Sequence, residues 1–296
     1  MILTVLGAAA GGGVPQWNCG CRNCADARTG KLPRMTQSSV AVSLDGQDWV
    51  VLNASPDIRA QLDATPGFAP AGLRGSPVRA VVVTNADVDH IAGLLSLREG
   101  TAFDLWASAD THAVLAANSV FGVMAEGVVT RREMTLDRDF TPLSGLSVRP
   151  FAVPGKVALF LERDHGEGHR LGGQTVGLEI TAGGRRAYYI PGCAEVPDWL
   201  LARVEGADLI LFDGTVFADD EMAIAGVGTK TGSRMGHVAI GGGEGSLARF
   251  ANANLGRKML IHINNTNPIL RPDSPERAAV TAAGWEVAQD GMQVVP

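Results

Sequence analysis

The chain has 296 residues, of which 46% are hydrophobic and 19% charged, as in an ordinary soluble globular protein with a sizeable core. A net charge of −6 and few aromatic residues argue against nucleic acid as a partner. No apolar run approaches the roughly 20 residues that span a bilayer. The apolar N-terminus lacks basic residues, which predicts a first strand rather than a signal peptide. We therefore expect a cytoplasmic protein with no transmembrane segment and no nucleic-acid partner.

The first predicted strand, residues 2–6, is followed by glycines that lack the Gly-Lys-Ser/Thr of a phosphate loop. A cysteine cluster comes next, with Cys19, Cys21 and Cys24 close together. In the cytoplasm, such thiols are more typical of metal ligands or buried side chains than of disulfides. Tetrahedral zinc is the usual ion in a cluster of this kind, so we predict a structural zinc site. Coincidental clustering is the alternative, and a fourth ligand must come from elsewhere.

Strands and helices then alternate along the chain. Alternating apolar residues around an Asp-Gly pair predict a hairpin of residues 38–44 and 49–52. Further strands are predicted at residues 78–84, 103–107, 146–153, 175–180, 186–190, 209–212, 258–263 and 285–288. Helices are predicted at residues 57–62, 91–97, 112–119, 197–204, 247–253 and 275–283, and a long polar loop holds His165 and His169. This order predicts one α/β domain over residues 1–296, with a two-layer sheet core flanked by helices.

Polar side chains follow several of these predicted strands. Asp89 and His90 come after the strand at residues 78–84, Asp213 follows residues 209–212, and His262 lies in the strand at residues 258–263. A histidine beside carboxylates indicates a metal site. An acidic turn with Asp87 or Asp89 as the N-cap of a helix is the other interpretation. Strand ends on one rim can converge, so these groups are expected to form one site.

The segment from Thr84 to Gly93 resembles the metallo-β-lactamase superfamily signature, Thr-His-x-His-x-Asp-His-x-x-Gly. Further motifs along nearly the whole chain include Pro15-Gln-Trp-Asn-Cys-Gly-Cys, Asn53-Ala-Ser-Pro-Asp-Ile-Arg, Met235-Gly-His and Leu260-Ile-His-Ile-Asn-Asn-Thr-Asn-Pro. These motifs resemble the pyrroloquinoline quinone (PQQ) biosynthesis protein B family, most weakly over residues 101–172. The resemblance implies an αββα metallo-β-lactamase fold and a role in making PQQ from a ribosomal peptide precursor.

The departures from the superfamily pattern bear on the chemistry that the resemblance implies. Superfamily hydrolases commonly hold two metals, but Asn85 and Asp87 replace the two leading histidines here. A Pro-Gly pair stands where the bridging aspartate is expected, after residues 186–190. The remaining Asp89, His90 and His262 match the two-histidine, one-carboxylate set of non-haem Fe(II) oxygenases.

We therefore expect Fe(II) at the active site, with O₂ and a small-molecule Glu-Tyr-derived substrate. The reaction that the family resemblance implies is hydroxylation of the tyrosine ring in a cross-linked Glu-Tyr unit. A vestigial polar cluster that has lost activity is the alternative interpretation of the three residues.

Two further residues are candidates for catalysis by resemblance. His237, in a glycine-rich loop, resembles the general-acid histidine of related phosphodiesterases, and Asp213 resembles the carboxylate that orients it. Such a pair can shuttle a proton, whereas a loop histidine with one structural hydrogen bond is the alternative. In related superfamily members the fourth zinc ligand lies three residues after the late metal histidine. That residue is Asn265, a poor zinc ligand, so water, His237 or another group is expected to complete the site.

A second class of function stays open from the sequence. A carrier could bind PQQ or its precursor and assist transport to the periplasm, which would require a partner because no transmembrane segment is found. Hydrolysis of the superfamily type is disfavoured because three ligands are lost. Other PQQ biosynthesis proteins are candidate partners. We interpret His112 and Cys193 as structural, and His169 as a solvated loop residue, a ligand remnant or a substrate contact.

Overall fold

Two seven-stranded sheets lie at the centre of the computed structural model, which describes residues 1–162 and 168–296. The strands of the first sheet are β1 (Ile2–Gly7), β2 (Ser39–Ser43), β3 (Trp49–Leu52), β4 (Val78–Val82), β5 (Phe103–Ala107), β6 (Val129–Glu133) and β14 (Gln293–Val294). Those of the second are β7 (Phe140–Leu143), β8 (Leu146–Gly155), β9 (Arg170–Ala182), β10 (Arg185–Ile190), β11 (Leu209–Asp213), β12 (Arg257–Ile261) and β13 (Trp285–Val287). Strands β3 to β6 pair in parallel, as do β10 to β13, and the other pairs are antiparallel.

Helices cover the outer faces of the sheets. The α-helices of the described residues are α1 (Arg22–Arg28), α2 (Ile58–Ala64), α3 (Val88–Ile91), α4 (Ala109–Ala117), α5 (Asp198–Val204), α6 (Glu221–Ile224), α7 (Gly232–Met235), α8 (Ser246–Arg249) and α9 (Pro275–Ala282). Short 3₁₀ helices occupy Ala92–Leu97, Ser119–Val123, Leu159–Leu161 and Pro268–Leu270. Within the two described ranges, no helix has the length and apolar character to cross a membrane.

The alternation of side chains along each strand creates the layers. Val40 and Val42 of β2 belong to the core between the sheets, together with Leu178 of β9. Ala41, between them, faces the opposite side and packs in a second core with Ile58 of α2. Because successive strand residues point to opposite faces, an apolar run such as Val40–Val42 buries both faces of its sheet. The predicted αββα sandwich is confirmed.

The predicted strands near the site agree better with the structure than those at the edges. The sequence analysis missed the strands β6, β7 and β14 and the helices α1, α6 and α7, of which α7 contributes Arg234 and Met235 to the site cavity. Four of the five residues of β6 are exposed, so this edge strand lacks the apolar alternation that marks a buried strand. The predicted long polar loop is shorter than expected because β9 already begins at Arg170, and His165 lies outside the described residues.

Two backbone bridges join the sheets at the end where β4, β11 and β12 terminate. Ala9 bridges Ile263 in parallel, and Asn85 bridges Thr175 in antiparallel fashion. The Ala10 backbone N–H also donates to the Ile263 carbonyl at 2.8 Å. These bonds join the loop after β1 to the loop after β12, and the loop after β4 to β9, so side chains distant in sequence meet at this rim.

Candidate metal centre

The loop after β4 is held by side-chain hydrogen bonds to its own backbone. Asn53, whose φ of 61° lies in the left-handed region, accepts a hydrogen bond from the Thr84 backbone N–H at 2.9 Å. Asn85 Oδ1 accepts from the Asp87 backbone N–H at 3.0 Å. At Gly93, a Cβ atom would lie only 2.1 Å from the Ser55 carbonyl oxygen, so the turn requires glycine. The segment is therefore fixed before any ligand binds.

His90 presents one ring nitrogen to the site. Its Nδ1–H donates to Asn85 Oδ1 at 2.7 Å, which leaves Nε2 with a lone pair. Within the described part of the chain, Nε2 is buried and has no hydrogen-bond partner. Burial lowers the pKa of His90 and keeps the ring neutral. Asn85, which replaces a superfamily histidine, thus fixes the tautomer of His90.

His262 approaches Asp89 from the other sheet. It follows β12 with a φ of 60°, and its Nε2 lies 3.0 Å from Asp89 Oδ2. Its Nδ1–H donates to the Thr215 hydroxyl at 2.8 Å. Burial opposes the charged ring, but the hydrogen bond and charge of Asp89 outweigh it and raise the pKa of His262. Burial likewise opposes the Asp89 carboxylate, yet the two imidazoles outweigh it and hold the pKa of Asp89 below its usual range.

Asp89, His90 and His262 offer a donor set that fits a divalent metal. Their ligand atoms all lie within 4.8 Å of one another, and His90 Nε2 is 4.0 Å from Asp89 Oδ2. A buried lone pair without a partner is costly unless a proton donor or a metal satisfies it. Two imidazole nitrogens and one carboxylate oxygen suit Fe(II) or another borderline divalent ion, with positions left for other ligands.

Asp213, His237 and Thr215 form a hydrogen-bonded group beside this set. Asp213 Oδ2 accepts from His237 Nδ1–H at 2.7 Å and from the Cys193 backbone N–H at 2.8 Å. The Thr215 hydroxyl donates to Asp213 Oδ1 at 2.7 Å, and the His237 and His262 rings stack with centroids 5.1 Å apart. Asp213, His237 and His262 could also gather a metal, but the hydrogen bonds already engage Asp213, whereas His90 Nε2 is unused.

Thr215 was missed by the sequence analysis, because its position close to Asp213 is only a weak signal. It lies two residues after Asp213, on the same strand-end rim as the predicted site residues. A hydroxyl is a common local partner in turns, and nothing in the chain pattern distinguishes this one from its neighbours. Its role follows from the fold, which brings His262 within hydrogen-bond distance.

Members of both groups line one cavity of about 320 Å³, near the lower end of the range for small-molecule sites. Asp89, His90, His237 and His262 contribute to its wall. The wall also includes the basic side chains of Lys156, Lys230 and Arg234, the apolar Leu159 and Phe160, and the acidic Asp87. The cavity can therefore admit a small molecule next to the candidate metal ligands.

The cysteine cluster lies at a separate position, closed by the loop that follows His262. The sulphurs of Cys19, Cys21 and Cys24 lie within 4.8 Å of one another. The Asn265 side-chain amide lies 3.1, 3.5 and 3.3 Å from these sulphurs, at the position where a fourth ligand is expected. Three neighbouring thiols fit a zinc ion. His237, considered above as the fourth ligand, is instead bonded to Asp213.

The remaining sequence candidates have structural contacts. His112 Nε2 lies 2.8 Å from the Arg132 carbonyl oxygen, and exposed His169 makes a similar contact with the Ser233 carbonyl. Cys193 is fully buried, its sulphur lies 3.0 Å from the Glu195 carbonyl oxygen, and burial raises its pKa well above the usual range. A thiol in this environment is not a nucleophile.

Comparison with known proteins identifies the family. Residues 48–263 match the family model described as the beta-lactamase superfamily domain. The chain is 55% identical to coenzyme PQQ synthesis protein B of Ruegeria pomeroyi over 100% of both chains, and 57% identical to that of Methylorubrum populi over 99% of both. The chain belongs to the PQQ synthesis protein B family. Its fold matches the crystal structure of Zn²⁺-bound PqqB from Methylobacterium extorquens, with 54% identity, a TM-score of 0.98 and full coverage of both chains.

More distant structures share the fold of this PQQ synthesis protein B family member. A diphosphatase of the PhnP family gives a TM-score of 0.69 at 22% identity, covering 99% of this chain and 96% of that one. The family model and the PQQ synthesis protein B relatives confirm the resemblance to the metallo-β-lactamase superfamily and to the PQQ biosynthesis protein B family that was inferred from sequence motifs.

The cysteine cluster gives a first prediction for this PQQ synthesis protein B family member. Cys24→Ser should lose one equivalent of bound zinc and destabilise the fold by more than about 4 kcal/mol, as when a structural metal is lost. Elemental analysis and thermal unfolding measure the two effects. Cys193→Ser, at a buried thiol outside the cluster, is the control and should retain its zinc. Absence of zinc from the intact protein would refute the site.

Proposed function

We propose that this chain takes part in PQQ synthesis as a non-haem iron hydroxylase. Its substrate would be a cross-linked Glu-Tyr unit derived from the precursor peptide, and the product would carry a new hydroxyl on the tyrosine ring. The observation that carries the proposal is the grouping of Asp89, His90 and His262 around one unpartnered buried nitrogen. An enzyme that acts on a precursor-derived intermediate would be located in the cytoplasm with other PQQ biosynthesis proteins.

Asp89, His90 and His262 would hold Fe(II), and zinc would occupy the cysteine cluster. Fe(II), when bound, would supply the activation of O₂ that ring hydroxylation requires. The donor set favours one metal rather than two, because Asn85 is already engaged as the hydrogen-bond partner of His90. Asp87 likewise accepts from Asn85 Nδ2 at 2.9 Å. These contacts argue against two-metal hydrolysis.

His237 would handle a proton of the substrate hydroxyl. Asp213 fixes the tautomer in which Nδ1 carries the proton, so Nε2 has a free lone pair. A carboxylate-held imidazole beside the substrate cavity is suited to accept a phenol proton and return it. Thr215 connects this pair with His262, since its hydroxyl is within hydrogen-bond distance of all three groups.

The deciding experiment begins without oxygen. The purified protein is loaded with Fe(II) and the cross-linked Glu-Tyr substrate, then exposed to O₂ with ascorbate as the source of two electrons. Hydroxylated product that incorporates label from ¹⁸O₂ supports the proposal. Tight substrate binding without turnover would favour the carrier function, and cleavage of the substrate would favour a hydrolase.

His237→Ala tests the proton-handling role separately. We expect turnover to fall by roughly 10²- to 10⁴-fold, the usual contribution of general acid–base catalysis, while bound iron stays unchanged. Steady-state kinetics and iron analysis give the two values. Exposed His169→Ala is the matched control and should retain full activity. Unchanged turnover in His237→Ala would remove this role.

A further inference from the structure

Basic side chains gather on the cavity wall. Lys156, Lys230 and Arg234 all line the cavity that contains Asp89 and His90. Arg234 makes a bidentate ion pair with Glu162, at 2.9 and 2.8 Å, so the charges of this pair balance. Lys156 and Lys230 then remain as positive charges on a wall that also holds the carboxylates of Asp87 and Asp89.

Lys156 has unused hydrogen-bonding capacity. Its side chain is 14% exposed, and Nζ lies 3.8 Å from the Glu162 carboxylate, which is already bound to Arg234. Among the described residues, the hydrogen bond that Nζ makes is to the carbonyl of the adjacent Val157, at 3.3 Å. An ammonium group carries three donors. With respect to the described residues, two donors of this ammonium are unused, so the group is suited to an anionic ligand.

The surrounding backbone accommodates the stem of Lys156. Gly236, with a φ of 88°, adjoins it so closely that a Cβ atom would lie 3.0 Å from Lys156 Cγ. The Thr175 hydroxyl donates to the Lys156 carbonyl at 3.1 Å. The lysine therefore packs against the turn that immediately precedes His237, and its stem is restrained beside that turn.

Apolar side chains complete the wall beside the lysine. Leu159 and Phe160 line the same cavity and are 53% and 44% exposed, although they are large hydrophobic residues. An exposed aromatic ring on a cavity wall can stack with an aromatic ligand. The wall thus combines surfaces for a ring with charges for anions.

We infer that Lys156 binds a carboxylate of the substrate, and that Lys230 adds a second positive charge at the cavity. The ligand class is a small aromatic amino-acid derivative with two or more carboxylates. This assignment rests on the proposed function for the identity of the substrate. Lys156 is a specificity-determining residue in this scheme, because it selects the charged ligand and takes no part in the oxidation.

The test removes the charge of the lysine and the charge of the ligand separately, and compares the effects on binding affinity. Anaerobic calorimetry of the Fe(II)-loaded protein measures binding of the cross-linked Glu-Tyr acid and of its fully methyl-esterified form. Lys156→Met should weaken binding of the acid by at least about tenfold, as expected for a lost charge-assisted hydrogen bond, and leave the ester unchanged. Lys156→Arg should retain part of the preference for the acid. Lys258→Met is the matched control. Lys258 lies on β12, outside the cavity lining, and its Nζ donates to the Ala283 carbonyl.

The outcomes separate this inference from the hydroxylase proposal. Equal effects of Lys156→Met on acid and ester, or no effect on either, would overturn the carboxylate assignment. Thermal unfolding of each variant identifies a general loss of fold, in which case Lys156→Gln supplies the neutral variant. Charge-dependent binding without oxygenated product would support the carboxylate site and refute the hydroxylase. Product formation without charge-dependent binding would support the hydroxylase and refute the carboxylate site.

Discussion

Under the proposed hydroxylase function, Asp89→Asn should abolish iron binding at the candidate metal centre and reduce hydroxylation to background. Asp89 is the one carboxylate among the three candidate ligands, and its Oδ2 lies 3.0 Å and 4.0 Å from the Nε2 atoms of His262 and His90. An amide oxygen carries no full negative charge, so the variant loses the main electrostatic attraction for a divalent cation. We expect iron affinity to fall by more than about 100-fold, beyond the usual effect of altering an outer partner. Iron analysis and product assays measure both quantities, and zinc content should stay constant.

Asp87→Asn is the matched control for this change. Asp87 lines the same cavity and lies two residues before Asp89, but it is not among the grouped ligand atoms. The control should keep its iron and most of its activity. If Asp87→Asn lost iron and Asp89→Asn kept it, the metal would be bound by different residues from those proposed here.

The site could be predicted from the sequence because its residues adjoin apolar strands. Asp89 follows β4 of the first sheet, and Asp213 ends β11 of the second, both after apolar residues. In each sheet the parallel strands place their carboxyl ends at one edge, and the two edges meet at the site. The motif from Thr84 to Gly93 added the superfamily resemblance. The sequence also indicated the cysteine cluster and the position of Asn265 beside it, and the structure brings those residues together.

The hydrogen bonds that organise the site could not be predicted. The sequence analysis interpreted Asn85 as a lost ligand, whereas the structure shows it as the acceptor that fixes His90. That contact depends on how the loop after β4 folds over Asn53. Asn53 itself has a positive φ, which is uncommon for a residue other than glycine. His262 also has positive φ, so its place after β12 follows from tertiary contacts and not from strand propensity.

One loop connects the two candidate metal centres. His262 reaches Asp89, while Asn265, three residues later, lies over the cysteine sulphurs. Asn23 of α1 donates to the carbonyls of Asn265 and Asn267 at 3.0 and 2.9 Å, and thereby fixes the far side of this loop. The cysteine cluster is therefore placed to support the position of His262 through a short and well-bonded segment.

Thr215→Val should weaken iron binding and slow turnover without removing any candidate ligand. The Thr215 hydroxyl accepts from His262 Nδ1–H at 2.8 Å and donates to Asp213 at 2.7 Å. Valine has a similar shape but leaves His262 Nδ1 without this partner. Loss of such an outer contact lowers metal affinity by about 10- to 100-fold. An unsatisfied buried donor also costs about 1–3 kcal/mol, so the unfolding free energy should fall by a similar amount.

Thr215→Ser distinguishes the contribution of the hydroxyl group from a general effect on the fold. Serine keeps the oxygen that His262 and Asp213 share and loses only a methyl group, so iron affinity and turnover should stay near those of the unsubstituted protein. Iron titration, steady-state kinetics and thermal unfolding on both variants give the comparison. If valine and serine behaved alike, the hydroxyl would be a bystander, and the orientation of His262 would depend on its backbone alone. A defect confined to valine would instead show that one hydroxyl aligns both the iron ligand and the proton-handling pair.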